Sequence, residues 1–523
     1  MTRPLTSLAM KECRALFPIW ASCMVAVLAV KALALAAVQP AGWLESALRY
    51  AALGTVVDYL LAEAVRLAAS APVGLLVCSL GSLALGTQLF GQEFGNRTLG
   101  LLLSHPVRRR SVLLIKMGVL SAMMLSLGVA SGVLRPADAA DPNGLVQLRL
   151  ALLFTASGLF VAPCLTLLTR SSVAGFVFSI AVPGAIAVAC ELAATANLLS
   201  NDPEQFNNIR LAGLSGGILV TSLAGAMSTA WMFTRVEAVE GGRAIGLAPA
   251  WRSTSSRTTV APAHPIAQLI RKELHIQQMS FVVAALFVLA SGSVGLFLYL
   301  TARSRPEVIE TVATLYLMLL GVIAGSIPSA EERSLGTLQA QLLLPVSART
   351  QWRVKAGVAL GLVLALGVGL PSLVLWIAGS TEWWGRVWPA AAAALILFTS
   401  LSLFVSSVSS NGIRALFGAT VMAISAIFAF NWMEWTVFII MDEWGRRSGL
   451  MFFPRFWHGW SSMLALVVIS VVLLHLGSIN HRGSPRSPAD IARQLGWISS
   501  VGVLLVVIIA LGSARWVPRP PGF

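Results

Sequence analysis

The sequence predicts an all-α polytopic membrane protein, with about 12 to 13 transmembrane helices in two parallel six-helix repeats. Three observations lead to this fold class. Of the 523 residues, 57% are hydrophobic and only 11% are charged, whereas soluble proteins carry about 25% charged residues. The mean hydropathy is +0.80, and apolar runs of about 18 or more residues, long enough to cross a bilayer, recur along the whole chain. Finally, one 24-residue motif occurs twice.

The spans are expected to be α-helices, because a helix satisfies its own backbone hydrogen bonds in hydrocarbon. Hydropathy places them at residues 17–38, 72–90, 112–133, 146–169, 172–196, 211–233, 280–301, 310–329, 354–379, 388–408, 413–433, 459–479 and 496–514. The predicted domains are a first unit at 1–234, a cytoplasmic linker at 235–265, a second unit at 266–480, and a loop with an extra C-terminal span at 481–523.

The basic residues give the orientation, because they are retained on the cytoplasmic side of a membrane. With the N-terminus inside, every lysine except Lys31 lies on the cytoplasmic side. We therefore expect a multi-pass protein of a bacterial-type inner membrane with a cytoplasmic N-terminus. The net charge of +15 follows from this topology, and no nucleic-acid partner is predicted. The five cysteines form no CxxC pair and are interpreted as small buried apolar residues.

The repeated motif reads EFGNRTLGLLLSHPVRRRSVLLIK at residues 93–116 and ERSLGTLQAQLLLPVSARTQWRVK at residues 332–355. Identical residues stand 239 positions apart without a gap: Glu93 and Glu332, Thr98–Leu99 and Thr337–Leu338, Leu103 and Leu342, Pro106 and Pro345, Arg110 and Arg349, Lys116 and Lys355. Upstream, Lys11–Glu12 precedes the first predicted span and Lys272–Glu273 the seventh. An even number of intervening spans keeps both copies in one orientation, which is a parallel repeat.

Each copy is expected to form a short helix on the cytoplasmic face. Glu93 and Glu332 should begin these helices, because a carboxylate is favourable at a helix N-terminus. Pro106 and Pro345 should end them, because the residue before a proline is disfavoured in a helix. The alternative is an interfacial loop whose basic residues only enforce the topology.

The interfacial helix with Lys-Glu, followed by Glu and a Thr-Leu-x-x-x-x-Leu-x-x-Pro-Val run that ends at Arg and Lys, resembles the ABC-2 family of ABC transporter permeases. The resemblance covers the interfacial helix through the third span of both halves. It implies that 93–106 and 332–345 are coupling helices that dock on an ATP-binding subunit. It also implies that Lys11, Glu12, Lys272 and Glu273 lie on helices flat against the inner surface.

The first copy departs from the family pattern at two positions. Arg97 stands where the second copy has Gly336, and Arg108 where it has Ser347. Carried over, the ATPase-docking residues are Glu93, Arg97, Thr98, Leu99, Leu103, Pro106, Arg110, Glu332, Gly336, Thr337, Leu338, Leu342, Pro345 and Arg349.

The sequence predicts no catalytic residue, cofactor or metal ligand on this chain. A phosphate-binding loop needs Gly-Lys followed by Ser or Thr, and the dipeptide Gly-Lys does not occur. The run Leu214-Ser215-Gly216-Gly217 resembles the ABC ATPase signature, but it opens an apolar span and is interpreted as helix packing. The six histidines form no HxxxH or HExxH set. ATP and Mg²⁺ are expected on a partner chain.

Two charges lie within predicted spans, where they are costly and often functional. Lys31 and Glu191 are candidates for a polar lining of a transport path. The alternative for both is that the side chains extend to the outer membrane interface.

The predicted function is the permease subunit of an ATP-binding-cassette transporter that exports a substrate, not itself identifiable, by alternating access. Two copies of an ATPase subunit and the lipid bilayer are the expected partners. Two alternatives remain open: an ion-coupled secondary transporter with parallel repeats, or an ABC-type sensor subunit.

Overall fold

The computed structural model describes residues 3–38, 71–95, 98–104, 107–131, 142–196, 203–235, 265–300, 306–334, 336–337, 341, 346–377, 381–423, 450–453, 460–482, 487–513 and 515–518. Almost all of them are helical, which confirms the all-α class. Two compact units can be distinguished. One comprises Met1–Ala34, Leu67–Thr259 and Gly292–Ser304, and the other Leu35–Arg66, Val260–Ser291 and Arg305–Phe523. The predicted domain boundaries remain a prediction.

Within the described residues up to Arg235 there are eight helices. They are α1 (Arg3–Val38), α2 (Ala71–Gly95), α3 (Leu99–Ser104), α4 (Arg109–Ser131), α5 (Pro142–Ala156), α6 (Ala162–Thr169), α7 (Ser172–Ala196) and α8 (Pro203–Arg235). A π-helical turn at Ser157–Val161 joins α5 to α6.

The described residues after 235 are also mostly helical and include one short strand pair. The helices are α9 (Pro265–Ile276), α10 (Gln278–Leu300), α11 (Pro306–Ser334), α12 (Ala348–Leu364), α13 (Leu370–Ile377), α14 (Thr381–Val408), α15 (Gly412–Ala423), α16 (Trp460–Arg482) and α17 (Pro488–Ser513). A second π-helical turn, Ala365–Gly369, joins α12 to α13. The strands β1 (Leu450–Phe453) and β2 (Arg515–Pro518) pair in antiparallel fashion.

Nine helices of the described part are long and apolar enough to cross a membrane. They are Arg109–Ser131, Leu145–Thr169, Ser172–Ala194, Asn207–Arg235, Gln278–Phe297, Val312–Arg333, Ala348–Ile377, Trp388–Val408 and Leu464–Arg482. Each overlaps a span expected from hydropathy, so the chain is a multi-pass helical membrane protein. The other four expected spans fall on α1, α2, α15 and α17, and their crossing of the membrane remains a prediction, as do the orientation and the complete six-helix repeats.

Two glycines at matched positions of the repeated sequence allow close helix contacts. A Cβ on Gly86 in α2 would lie 1.8 Å from the carbonyl oxygen of Gly158, in the π turn after α5. A Cβ on Gly325 in α11, 239 residues later, would lie 2.5 Å from the carbonyl oxygen of Thr399 in α14. Small residues permit such backbone contact between membrane helices. In each half, therefore, the helix that precedes the repeated motif packs tightly against a later span.

Gly86→Ala and Gly325→Ala should each destabilise the protein by about 1–3 kcal/mol, because the added methyl group meets backbone atoms that must shift. The matched controls are Gly118→Ala and Gly357→Ala, also 239 residues apart, where an added Cβ meets nothing within 4 Å. These changes should be neutral or slightly stabilising, because alanine favours helix over glycine. Thermal unfolding in detergent measures all four. Equal melting temperatures for the two pairs would contradict the proposed close contacts.

Candidate functional site

A buried lysine cluster forms where the first copy of the motif meets α1. The ammonium group of Lys116, on α4, donates to Glu93 Oε1 of α2 at 3.0 Å and to the carbonyl oxygen of Leu89 at 3.1 Å. It also lies 2.9 Å from Glu12 Oε2 of α1. The three acceptors satisfy the three N–H bonds of the ammonium. Lys11 lies at the rim, 3.6 Å from Glu93. We call Lys11, Glu12, Glu93 and Lys116 the first lysine cluster.

The second copy forms the same kind of cluster from the four matched residues. The ammonium of Lys355, on α12, donates to Glu332 Oε2 of α11 and to the carbonyl oxygen of Pro328 at 3.4 Å. Glu273 Oε1 of α9 lies 3.5 Å from it. Lys272 donates to the other oxygen of Glu332. We call Lys272, Glu273, Glu332 and Lys355 the second lysine cluster.

The backbone acceptors are matched as well, because Leu89 and Pro328 each stand four residues before the cluster's central glutamate. The helix ends also match. Helix α2 ends at Gly95 and α11 at Ser334, while α4 begins at Arg109 and α12 at Ala348; both pairs are 239 residues apart. The sequence correspondence is thus accompanied by a correspondence of contacts around the motif.

Each cluster joins three chain segments through one buried charge. The side chain of Lys116 is 0% exposed and that of Lys355 is 0% exposed. A buried ammonium without partners would cost several kcal/mol, so it requires the carboxylates around it. Each cluster holds two acids and two bases, so its formal charge is zero. The helix that carries the Lys-Glu pair, the helix before the motif and the helix after it are therefore held in one arrangement.

Burial raises the pKa of Glu12 and of Glu273, the two cluster carboxyls that precede the expected spans. For Glu12, desolvation exceeds the opposing attraction of Lys116. For Glu273 it exceeds that of Lys355, while the neighbouring charge of Glu332 raises the pKa further. The helices that carry these carboxyls differ from what the resemblance implied: Lys11 and Glu12 lie within α1, which continues to Val38, whereas Lys272 and Glu273 lie on the separate helix α9. Each carboxyl holds its proton more firmly than an exposed glutamate.

The expected position of the two central glutamates is wrong. Glu93 and Glu332 do not begin short helices: they lie inside the last turns of α2 and α11 and are buried. The reason is the buried lysine of the following helix, which faces these turns and needs a carboxylate there. A short helix does follow in the first copy, as α3. Thr98 connects the two helices: its N–H donates to Glu93 O of α2 at 2.9 Å, and its carbonyl oxygen accepts from Leu102 N–H of α3 at 3.0 Å.

In the second copy, two glutamines attach the predicted docking segment, residues 332–345, to its surroundings. The amide nitrogen of Gln351, on α12, donates to the backbone carbonyls of Gln341 and Val346, both at 2.9 Å. The side-chain oxygen of Gln341 accepts from Lys272 at 2.8 Å. Ser347 caps α12 by accepting from the N–H of Thr350 at 3.2 Å.

A third glutamine joins the α9–α10 junction to α11. Gln277, between α9 and α10, donates to the carbonyl oxygen of Ala324 at 2.6 Å. That carbonyl lacks its usual helical partner, because Pro328 has no N–H. Sequence analysis missed all three glutamines. The pairing of Gln277 with Pro328 was detectable in principle, since both depart from the first copy at matched positions, where Leu16 and Leu89 stand.

The remaining docking candidates are only partly within the described residues. Arg110 and Arg349 are exposed at the starts of α4 and α12, Gly336 and Thr337 are exposed, and Leu99 is half-buried in α3. Gly336 has φ +69°, a conformation that glycine adopts without strain. The following lie outside the description, as whole residues or as side chains: Arg97, Leu103, Pro106, Leu338, Leu342 and Pro345. The docking role of the whole set remains a prediction.

The two charges assigned to a transport path are not brought together by the described structure. Glu191 of α7 forms an ion pair with Arg210 of α8 at 2.9 Å. The side chain of Lys31 lies outside the description. A role of either residue in transport is untested.

No protein-family model, no curated protein and no solved structure matches this chain. The candidate site is therefore characterised by its own geometry. Within the described residues, no group of three His, Cys, Asp or Glu side chains is placed to hold a metal ion. The cluster carboxylates are paired with lysines, so each cluster joins the end of the helix before the motif to the start of the helix after it.

Lys116→Met and Lys355→Met should each destabilise the protein by about 3–5 kcal/mol, because each leaves two buried carboxylates without their common partner. The control is Lys11→Met, whose side chain is 55% exposed and whose loss should cost no more than about 1 kcal/mol. Thermal unfolding in detergent at pH 7 measures the difference. If Lys116→Met and Lys11→Met lower the melting temperature equally, the cluster does not hold the helices together.

Acidification should stabilise the wild type relative to Glu273→Gln. The pKa of Glu273 in the folded protein lies above 4.5, so folding favours the protonated carboxyl. Its stabilising effect is complete below pH 4.5 and is lost as the pH rises through the raised value. Melting temperatures of both proteins between pH 4 and pH 8 give the difference, and Glu12→Gln repeats the test in the other cluster. A difference that is constant or shrinks on acidification would contradict the raised pKa.

Proposed function

We propose that this chain is the transmembrane permease subunit of an ATP-binding-cassette transporter, driven by separate ATPase subunits that dock on residues 93–106 and 332–345. The observation that carries the proposal is the lysine cluster that accompanies each copy of the motif. A docking segment that is held by such a cluster can pass its displacement on to the adjoining spans, whereas a loosely attached loop would deform instead.

Three features support the proposal. The motif and the interfacial Lys-Glu pair resemble those of the ABC-2 permeases. Helices α4 and α12 begin at matched residues directly after the docking segments, so displacement of a segment acts on the head of a span. The sequence contains no phosphate-binding loop of its own, so the proposal assigns ATP hydrolysis and Mg²⁺ to the partner. Export by alternating access belongs to the proposal through the family resemblance.

The exposed residues, rather than the buried glutamates, provide the test. Arg110 and Arg349 occupy matched positions and are exposed, so their reversal leaves both lysine clusters intact. Arg110→Glu plus Arg349→Glu should weaken association with a Walker-motif ATPase on the order of tenfold, because opposed charges at an interface cost both encounter rate and affinity. The wild-type chain is first purified from its native membrane, and the ATPase that accompanies it is identified by mass spectrometry.

The matched control is Arg482→Glu plus Arg493→Glu, which reverses two exposed arginines on α16 and α17, outside the motif. It should retain the ATPase and its ATP turnover. Undiminished association of the Arg110/Arg349 variant would exclude docking at these segments. If the purified chain moves a substrate without any ATPase, driven by a proton or sodium gradient, the ABC assignment itself is wrong.

A further inference from the structure

The two docking segments are attached to their units by different chemistry. At three matched positions around the lysine clusters, the first copy has Leu16, Leu102 and Val112, and the second has Gln277, Gln341 and Gln351. All six side chains are buried. Apolar side chains in the first copy are therefore replaced, position for position, by amides in the second.

The amides of the second copy have specific partners. Gln277 donates to Ala324 O in α11. Gln351 donates to the backbone carbonyl of Gln341, inside the docking segment, and to that of Val346, directly after it. Val112 has no polar atom beyond its backbone and cannot make the bonds that Gln351 makes. Ser347 caps α12, whereas Arg108 at the matched position is a donor only and cannot accept from a helical N–H.

Hydrogen bonds and apolar contacts respond differently to displacement. A hydrogen bond weakens steeply once its angle or distance departs from a narrow range, whereas apolar contact is non-directional. The two bonds from this one buried amide fix the docking segment at Gln341 and at Val346, the residue that directly follows the segment. The attachment of the first segment contains no such bond from position 112.

We infer that Gln351 is a positioning residue that clamps the second docking segment to the head of α12, so that the two segments transmit force unequally, the second more directly. This inference rests on the proposed function for its consequence in ATP-driven work, and on the geometry alone for the clamp. The clamp and its consequence for ATP-driven work are tested separately, by two measurements on the same variants.

The first measurement is amide hydrogen exchange of the purified full-length chain in detergent. Peptides covering 336–347 should exchange more slowly than those covering 97–108. Gln351→Met should accelerate exchange in 336–347 by roughly tenfold, because it removes both hydrogen bonds from the Gln351 amide to the carbonyls of Gln341 and Val346. Gln494→Met is the control, since Gln494 exchanges hydrogen bonds with Asn480 and lies outside the motif. It should leave 336–347 unchanged.

The reciprocal variant tests whether adding the amide to the first copy creates a clamp there. Val112→Gln places an amide at the position that matches Gln351, within reach of the carbonyls of Leu102 and Val107 if the two copies share this geometry. It should slow exchange in 97–108 severalfold, an outcome that a misfolded protein cannot produce. Equal exchange in the two wild-type segments, or no response to Gln351→Met, overturns the clamp.

The second measurement is ATP turnover by the chain together with the Walker-motif ATPase that co-purifies with it. Gln351→Met should lower the maximal turnover severalfold while the association constant stays at the wild-type value, because the segment is still present but less firmly held. Unchanged turnover in a variant whose exchange has increased would overturn the positioning role. The expected exchange pattern in a chain that binds no ATPase would contradict the proposed function and leave the clamp standing.

Discussion

One buried ammonium group in each unit determines how the helix with the Lys-Glu pair and the helices before and after the repeated motif fit together. Lys116 and Lys355 are removed from water, and such a charge is tolerated only when nearby carboxylates and carbonyls replace its hydration. Those groups come from separate segments: α1 and α2 in one unit, α9 and α11 in the other. If the helix before or after the motif moves away, the remaining groups keep an uncompensated charge. If the helix with the Lys-Glu pair moves away, the ammonium group loses the third of its acceptors.

The same constraint explains an otherwise unfavourable placement. A carboxylate near a helix C-terminus is repelled by the negative end of the helix dipole, yet Glu93 and Glu332 lie there, in the last turns of α2 and α11. The lysine that binds each of them also binds the carbonyl four residues earlier, and so neutralises both the side chain and the helix end. The docking segments then leave these helix ends from fixed positions.

The sequence allowed the fold class to be predicted because lipid imposes a simple rule on every residue of a span, and hydropathy detects it. It also indicated the cluster residues, since Lys11, Glu12, Glu93 and Lys116 recur with the same charges. Their contacts were not predictable, because proximity between α1, α2 and α4 depends on how spans pack. The helix dipole favoured Glu93 as a first residue, and the need of the buried Lys116 for a carboxylate outweighs it. Single glutamines such as Gln351 carry no pattern at all.

The differences between the two motif copies are coupled by chemistry. Pro328 removes an N–H and leaves the carbonyl of Ala324 without its helical partner, which creates a need for a donor that Gln277 meets. The first copy has Leu89 in place of the proline, its helix keeps that bond, and Leu16 needs no polar atom. Leaving a buried carbonyl unpaired costs about 1–3 kcal/mol, so neither change is favourable without the other. Gln277 and Pro328 are thus a matched pair of substitutions, and the second copy differs from the first in how the helix before its motif is held.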